Sequence, residues 1–154
     1  MEIIQITDLH ISKDKSDSKH DCVPYERLTK VLEHISANHS KHSNLVITGD
    51  LSSDFTHESY KNISSLIKQF EFNVSILPGN HDDLSMMKLI CDDQIKLESL
   101  ECKSKYFSIF NFDTHIQDNV KGVINQREIE NLGEPIISKQ NKCYYFLSSS
   151  THKS

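Results

Sequence analysis

The sequence has no excess of basic residues. Its 154 residues include 17 Lys and Arg and 22 Asp and Glu, which gives a formal net charge of −5 at pH 7. A protein that binds nucleic acid through its phosphates needs a basic surface. We therefore expect that nucleic acid is not a partner of this chain.

Long apolar runs and closely spaced cysteines are also absent. No window approaches the ~18 consecutive apolar residues of a membrane-spanning helix, and residues 1–4 show no basic segment of a signal peptide. No Cys-x-x-Cys pair occurs among Cys22, Cys91, Cys102 and Cys143, which argues against a zinc knuckle or a disulfide-stabilised fold. These features predict a cytoplasmic protein that makes no use of a membrane.

The first half of the chain alternates short apolar runs with helical patterns. Strands are predicted at Ile3–Ile6, Leu45–Ile47 and Val74–Leu77. Helices are predicted after each of them, from Pro24 through Ile35, over Tyr60–Phe70 and over Leu84–Ile90. The β-α-β-α-β-α order predicts an α/β fold with a largely parallel sheet covered by helices.

The second half is less regular. Weak alternation predicts a strand over Tyr106–Phe112, and further patterns predict a helix over Gln126–Leu132 and a strand over Cys143–Leu147. No change of composition marks a boundary, so we expect one domain over residues 1–154.

Polar side chains follow each of the first three strands. Asp8 and His10 follow the first, Asp50 follows the second, and Asn80 and His81 follow the third. Ligands gather at the carboxyl ends of strands in an open α/β sheet, so we expect these five residues to meet at one edge. Taken singly, either aspartate also suits a turn or a helix cap. His10 also suits a surface position, and Asn80 a left-handed turn.

The chemistry of these side chains indicates a metal site. Carboxylate, imidazole and amide ligands together suit divalent ions such as Mn, Fe, Zn or Mg. A carboxylate on the central strand can bridge two such ions about 3.5–4 Å apart, as in two-metal hydrolases. An imidazole beside that site, His81, is then placed to protonate a leaving oxygen.

Three segments resemble the motifs of a known family. They are residues 6–10 (Ile-Thr-Asp-Leu-His), 48–54 (Thr-Gly-Asp-Leu-Ser-Ser-Asp) and 77–83 (Leu-Pro-Gly-Asn-His-Asp-Asp). In this order they resemble the first three motifs of the calcineurin-like metallophosphoesterases, and in particular the bacterial cyclic-AMP phosphodiesterase branch. The resemblance implies a layered α/β/β/α sandwich, incomplete at the C-terminus. It also implies hydrolysis of phosphodiester bonds in a small-molecule substrate such as cyclic AMP.

The resemblance further implies roles for the residues at the strand ends. The implied metal ligands are Asp8, His10, Asp50 and Asn80. Asp50 would bridge a pair of divalent ions (Fe, Mn or Zn), Asp8 and His10 would complete the first site, and Asn80 would belong to the second. His81 would be the catalytic residue beside the leaving group, with Asp82 orienting its ring.

Two histidine motifs that the resemblance leads us to expect, His-His-Pro and Gly-His-x-His, do not occur in the sequence. Residues 148–154 stand where the first is expected, and they offer only His152. A one-nucleotide shift in one coding sequence for residues 146–153 reads Phe-Tyr-His-His-Gln-Pro-Ile, so we hypothesise a frameshift that the downstream DNA would reveal. Without those ligands we expect a weak second metal site and weak or no activity.

Other residues near the motifs have two interpretations. Met86 and Met87 suit a purine pocket or, as we favour, the core. Asp54 suits a hydrogen bond to a metal ligand or a loop cap. The lysines of the loop after the first strand suit a phosphate contact or, by default, solvent. The residues that we expect at the solvated surface are Lys13, Lys15, Lys19, His34, His39, His42 and His115.

Three functions remain open at this point. The favoured one is a metal-dependent cyclic nucleotide phosphodiesterase. A DNA-repair nuclease of the same superfamily is the second, although the acidic balance counts against it. The third is a remnant of a disrupted gene that binds one metal ion or none, and metal analysis distinguishes it from the enzymes.

Overall fold

The computed structural model describes residues 2–19, 21–97, 102–103, 107–112, 114, 123–124, 126–131 and 142–147. Four strands form a parallel sheet in the order β1-β2-β3-β4. They are β1 (Ile3–Ile6), β2 (Asn44–Thr48), β3 (Asn73–Leu77) and β4 (Ile95–Lys96). The predicted parallel sheet is therefore confirmed, and the two-residue β4 extends it beyond the predicted strands.

Three helices connect these strands. They are α1 (Pro24–Asn38), α2 (His57–Ile67) and α3 (Leu84–Leu89). Pro24 occupies the first turn of α1, where its missing N–H is not needed. The Thr56 side chain caps α2 by accepting a hydrogen bond from the Ser59 backbone N–H. Each predicted helix thus exists, with bounds that differ from the expected ones by a few residues.

A second, three-stranded sheet follows. It consists of β5 (Cys102–Lys103), β6 (Phe107–Phe112) and β7 (Lys142–Leu147), with α4 (Gln126–Asn131) between the last two. β5 pairs with β6 antiparallel and β6 pairs with β7 parallel. The presence of two sheets and of helices agrees with the layered α/β architecture. The predictions for His115 and His152 fall outside the described residues.

The core lies between the first sheet and its helices. α1 buries Leu28, Leu32 and Ile35, and α2 buries Tyr60, Ile63, Leu66 and Ile67. Two residues at the same helical spacing, Val31 and Phe70, are not fully buried. Val31 is 37% exposed, and Phe70 lies after the end of α2, where its ring stacks on Phe72. None of the described helices is long and apolar enough to cross a membrane.

The register of the sheet brings the strand ends to one level. Ile6 pairs with Ile47, and Thr48 pairs with Leu77. The segments that leave β1, β2 and β3 therefore emerge side by side at the carboxyl edge, where ligands gather in open α/β sheets.

Candidate metal centre

The loop after β1 runs alongside the loop after β2. The backbone N–H of Asp8 donates to the Gly49 carbonyl at 3.1 Å, and that of His10 donates to the Asp50 carbonyl at 2.9 Å. Ile11 continues the series by donating to the Leu51 carbonyl. Parallel pairing thus continues beyond the strands, and it places the first two polar residues beside Asp50.

The side chains of Asp8, His10 and Asp50 converge. One ligand atom from each lies within 4.8 Å of the others. His10 Nε2 is 3.7 Å from Asp50 Oδ2 and 3.9 Å from Asp8 Oδ1. Asp50 is completely buried, whereas Asp8 and His10 are about one-third exposed.

This donor set fits a divalent metal ion. A buried carboxylate is costly unless a cation or several hydrogen bonds compensate its charge, and Asp50 faces a second carboxylate across the cluster. Two carboxylate oxygens and one imidazole nitrogen are the ligand types that Mn, Fe and Zn accept. Burial lowers the pKa of His10 despite the opposing pull of Asp50 and Asp8, which favours the neutral ring that metals bind.

The backbone is strained at all three residues. Asp8, His10 and Asp50 have φ angles of 56°, 46° and 52°, in the left-handed region. Non-glycine residues are uncommon there, although Asp and His tolerate the region better than most. Strained residues cluster at functional sites, where surrounding contacts hold them in place. The hydrogen bonds between the two loops provide such contacts here.

The turn after β3 packs against Asp50. A Cβ on Gly79 would lie 2.1 Å from Asp50 Oδ1 and 2.3 Å from Asp50 N, so only glycine fits at this distance. The backbone N–H of His81 donates to Asp50 Oδ1 at 3.1 Å. Asn80 lies between these two contacts and is half-buried. Its φ angle is not positive, so the left-handed-turn interpretation of Asn80 is wrong.

The His81 ring lies beside the cluster. It is half-buried, and its centroid is 5.7 Å from that of His10, with the rings at 71°. The structure therefore brings the segments of all five predicted residues to one edge. It places the side chains of Asp8, His10 and Asp50 within metal-binding distance of one another.

Comparison with known proteins agrees with this geometry. The sequence model of the family described as calcineurin-like phosphoesterase matches residues 1–148. The chain belongs to this family.

Several relatives of this chain have been given more specific names. A probable cyclic nucleotide phosphodiesterase of Coxiella burnetii is 26% identical over 145 residues, covering 92% of this chain and 56% of the relative. A 3′,5′-cyclic adenosine monophosphate phosphodiesterase of Haemophilus influenzae is 23% identical over 88% of this chain and 50% of its own length. The chain thus spans about half the length of these curated relatives.

The role expected for Asp82 is wrong. Its carboxylate does not orient the His81 ring but turns into the protein, where it is 7% exposed. It accepts backbone hydrogen bonds from Leu51 and Ser52, at 3.0 Å and 3.2 Å, and from Gly79 at 2.8 Å. Burial raises the pKa of Asp82 to about 7, although these hydrogen bonds pull it down. Asp82 therefore links the loop after β2 to the turn after β3.

Tyr60 completes this link. Its hydroxyl donates to Asp82 Oδ1 at 3.1 Å and accepts from the Asp83 backbone N–H at 2.8 Å. Asp83 in turn caps α3 by accepting from the N–H groups of Ser85 and Met86. The two aspartates of the third motif thus have structural contacts. Tyr60 begins the helix predicted over Tyr60–Phe70, and that helical pattern gave no signal for its hydroxyl.

Thr7 is another residue that sequence reasoning missed. Its hydroxyl lies 2.7 Å from Asp8 Oδ2 and 3.2 Å from the Thr48 carbonyl. Its single proton can bond only one of these oxygens at a time, and the shorter distance favours the Asp8 carboxylate, which the hydroxyl then orients. Its position directly before Asp8 in the first motif was the available signal.

Asp54 behaves as a loop cap, which was one of its two interpretations. It accepts hydrogen bonds from Ser12, from the Lys13 N–H at 2.8 Å, and from Thr56. Burial alone would raise the pKa of Asp54, but the hydrogen bonds from Lys13 and Thr56 outweigh it and lower the pKa from 3.8 to about 2. Asp54 therefore fastens the loop after β2 to the loop after β1.

A cavity of about 680 Å³ opens beside the metal centre. Asp8, His10 and His81 line one part of it, and the basic residues Lys19 and Arg27 line another. Apolar residues of β1 and α1 line the remainder, together with Thr7, Leu9, Cys22 and Ser53. Met86 and Met87 are not among the lining residues but pack in or against the core, so the interpretation of these methionines as core residues is confirmed.

Proposed function

We propose that this chain carries the metal site of a metal-dependent phosphodiesterase. Asp8, His10 and Asp50 bind the first divalent ion in this proposal. Its strongest support is the convergence of their ligand atoms within 4.8 Å around a completely buried carboxylate. That arrangement is costly without a cation and favourable with one.

A second ion is proposed between Asp50 and Asn80. The close contact of Gly79 with Asp50 supports this assignment, because it brings the turn that carries Asn80 against the shared carboxylate. Only these two side chains are proposed for the second ion, so we expect it to bind more weakly than the first.

The bound ions would lower the pKa of a water molecule and polarise a phosphoryl oxygen. In this chain, His81 is proposed as the proton donor to the leaving oxygen. Its backbone is tied to Asp50 and its ring lies beside His10, so the imidazole stands at the edge of the metal centre. Thr7 holds the Asp8 carboxylate in one orientation.

The proposed substrates are cyclic nucleotides such as cyclic AMP. The names of the relatives in Coxiella burnetii and Haemophilus influenzae support this substrate class. The cavity also supports it, because it combines apolar walls with the cationic side chains of Lys19 and Arg27. The cationic side chains suit an anionic ligand such as a cyclic phosphate.

The test combines metal binding with turnover. Calorimetric titration with Mn²⁺ measures affinity, and chromatography of cyclic AMP and its product measures hydrolysis. Asp50→Asn should lower Mn²⁺ affinity by more than the ~10–100-fold that the loss of an outer hydrogen-bond partner costs. His81→Gln should retain Mn²⁺ binding and lower turnover by about 10²–10⁴-fold.

His42→Gln is the matched control, because His42 is an exposed histidine in the connection before β2. It should change neither Mn²⁺ affinity nor turnover. A protein that binds no Mn²⁺, or that hydrolyses cyclic AMP equally well after Asp50→Asn, would contradict the proposal. Metal-dependent cleavage of DNA ends without cleavage of cyclic AMP would support the nuclease function instead.

A further inference from the structure

Phe55 occupies a position that neither packing nor backbone preference explains. Its side chain is 46% exposed, and it lies outside the buried core. Its φ angle is 58°, in the left-handed region. Bulky residues are rare in that region, where Gly or Asn would fold with less strain. An exposed, strained aromatic residue calls for a functional explanation.

The loop that carries Phe55 is held on both sides. The Phe55 backbone N–H donates to Ser52 Oγ at 2.9 Å. The neighbouring Asp54 accepts from the backbone N–H groups of Lys13 and Thr56 at 2.8 Å and 3.2 Å. The backbone at Phe55 is therefore fixed by its neighbours, and the ring is presented from a defined place at the rim of the metal centre.

The Phe55 ring lies next to His81. The two centroids are 6.0 Å apart, and the ring planes are inclined by 32°. The centroid of the His81 ring is also 5.7 Å from that of His10. His81 thus neighbours both His10 and Phe55, and Phe55 is the most exposed of the three residues.

We propose that Phe55 determines specificity by stacking on the planar base of a cyclic nucleotide whose phosphate lies at the metal centre, an inference that rests on the proposed function. A phenyl ring offers a π-face and no hydrogen-bonding group. It therefore favours ligands that carry a base, but it does not distinguish one base from another. Stacking of a base on an aromatic side chain accounts for about 10–100-fold in affinity. Phe55 therefore favours nucleotides over phosphodiesters that lack a ring, and it favours adenine and guanine to a similar degree.

The experiment compares ligands with and without a base. With Mn²⁺ present, calorimetry measures binding of 5′-AMP, 5′-GMP and ribose 5-phosphate. The unmodified protein should bind both nucleotides about 10–100-fold more tightly than ribose 5-phosphate. Phe55→Leu should remove most of that preference for both nucleotides, and Phe55→Tyr should retain it because the aromatic ring remains.

Phe55→Gly separates the proposed role from a role in folding. Glycine adopts the left-handed conformation without strain, so the thermal midpoint of the Phe55→Gly variant should equal or exceed that of the unmodified protein. It should nevertheless lose the preference for nucleotides. Turnover of cyclic AMP at low substrate concentration should fall because KM rises. Turnover of glycerophosphocholine, a phosphodiester without a ring, should fall less.

Three results would contradict the stacking role of Phe55, and each has a different meaning for the proposed function. A preference for 5′-AMP that persists in Phe55→Leu overturns the stacking role and leaves the proposed function in place. Equal losses for both ligands and both substrates would show that Phe55 merely positions His81, and they would also overturn the stacking role. A protein that binds none of the three ligands in the presence of Mn²⁺ contradicts the proposed function and, with it, this inference.

Discussion

Replacing Gly79 with alanine tests whether the close approach of the turn after β3 to Asp50 holds the metal centre together. The added Cβ would lie 2.1 Å from Asp50 Oδ1, 2.3 Å from Asp50 N and 3.0 Å from Asp50 Cγ. Ordinary contacts of this kind are about 3.5 Å, so the two segments must separate by roughly 1 Å or more. Gly79 has no positive φ angle, so the cost is steric and does not come from backbone preference.

The expected cost is at the upper end of the range for overpacking. Forced insertions into packed sites cost about 1–3 kcal/mol, and occasionally more. Backbone atoms cannot rotate away as a flexible side chain can, so we expect Gly79→Ala to lower the free energy of unfolding by about 3 kcal/mol. Displacement of Asp50 should also weaken Mn²⁺ binding by at least about tenfold, since ligand geometry must hold within a fraction of an ångström.

Urea unfolding followed by circular dichroism measures the first effect, and Mn²⁺ titration measures the second. Ser65→Ala, at an exposed position of α2, is the control and should change stability by less than about 0.5 kcal/mol. In an Asp50→Ala background two of the three close contacts disappear, so Gly79→Ala should cost at least about 0.5 kcal/mol less there. Unchanged stability and unchanged Mn²⁺ affinity in Gly79→Ala would refute the reasoning.

Three further substitutions test single contacts. Tyr60→Phe removes a hydrogen-bond donor from the buried Asp82 carboxylate and the acceptor of the half-buried Asp83 N–H, and it should cost about 1–3 kcal/mol in urea unfolding; a cost near zero would contradict these hydrogen bonds. Because the fold lowers the pKa of Asp54 from 3.8 to about 2, its contribution to stability is complete above pH 4 and lost toward pH 2. The stability difference between the unmodified protein and Asp54→Asn should therefore shrink over that pH range, and a constant difference would contradict this. Thr7→Val frees the Asp8 carboxylate and should weaken Mn²⁺ binding about 10–100-fold, whereas unchanged affinity would show that the hydroxyl does not orient it.

Much of the fold could be predicted because its signals are local. Short apolar runs predicted β1, β2 and β3, and spacing at a helical period predicted α1, α2 and α3. β4 and β5 escaped prediction because each has only two residues and so carries no period. Val31 matched the apolar stripe of α1 but lies at its edge, where it lines the cavity and stays partly exposed.

The candidate site was predictable as a set of residue types at strand ends. Asp8, His10 and Asp50 follow neighbouring parallel strands, so a parallel sheet brings them together. The same reasoning failed for Asp82, because adjacency to His81 in sequence does not determine the direction of a side chain. Instead, the Asp82 carboxylate accepts hydrogen bonds in the interior from the backbone N–H groups of Leu51 and Ser52, in the loop after β2.

By itself, the sequence determined the family, the parallel α/β order and the residue types at the strand ends, because strand period, turn residues and side-chain types are properties of short segments. Only the tertiary structure decided which aspartates face the cluster, why Gly79 must lack a side chain, and that Phe55 borders His81. Each of these depends on contacts between separate segments, such as that between Leu51 and Asp82, which lie 31 residues apart. No pattern within either segment specifies such a contact, since packing and hydrogen bonding select it only when the segments meet.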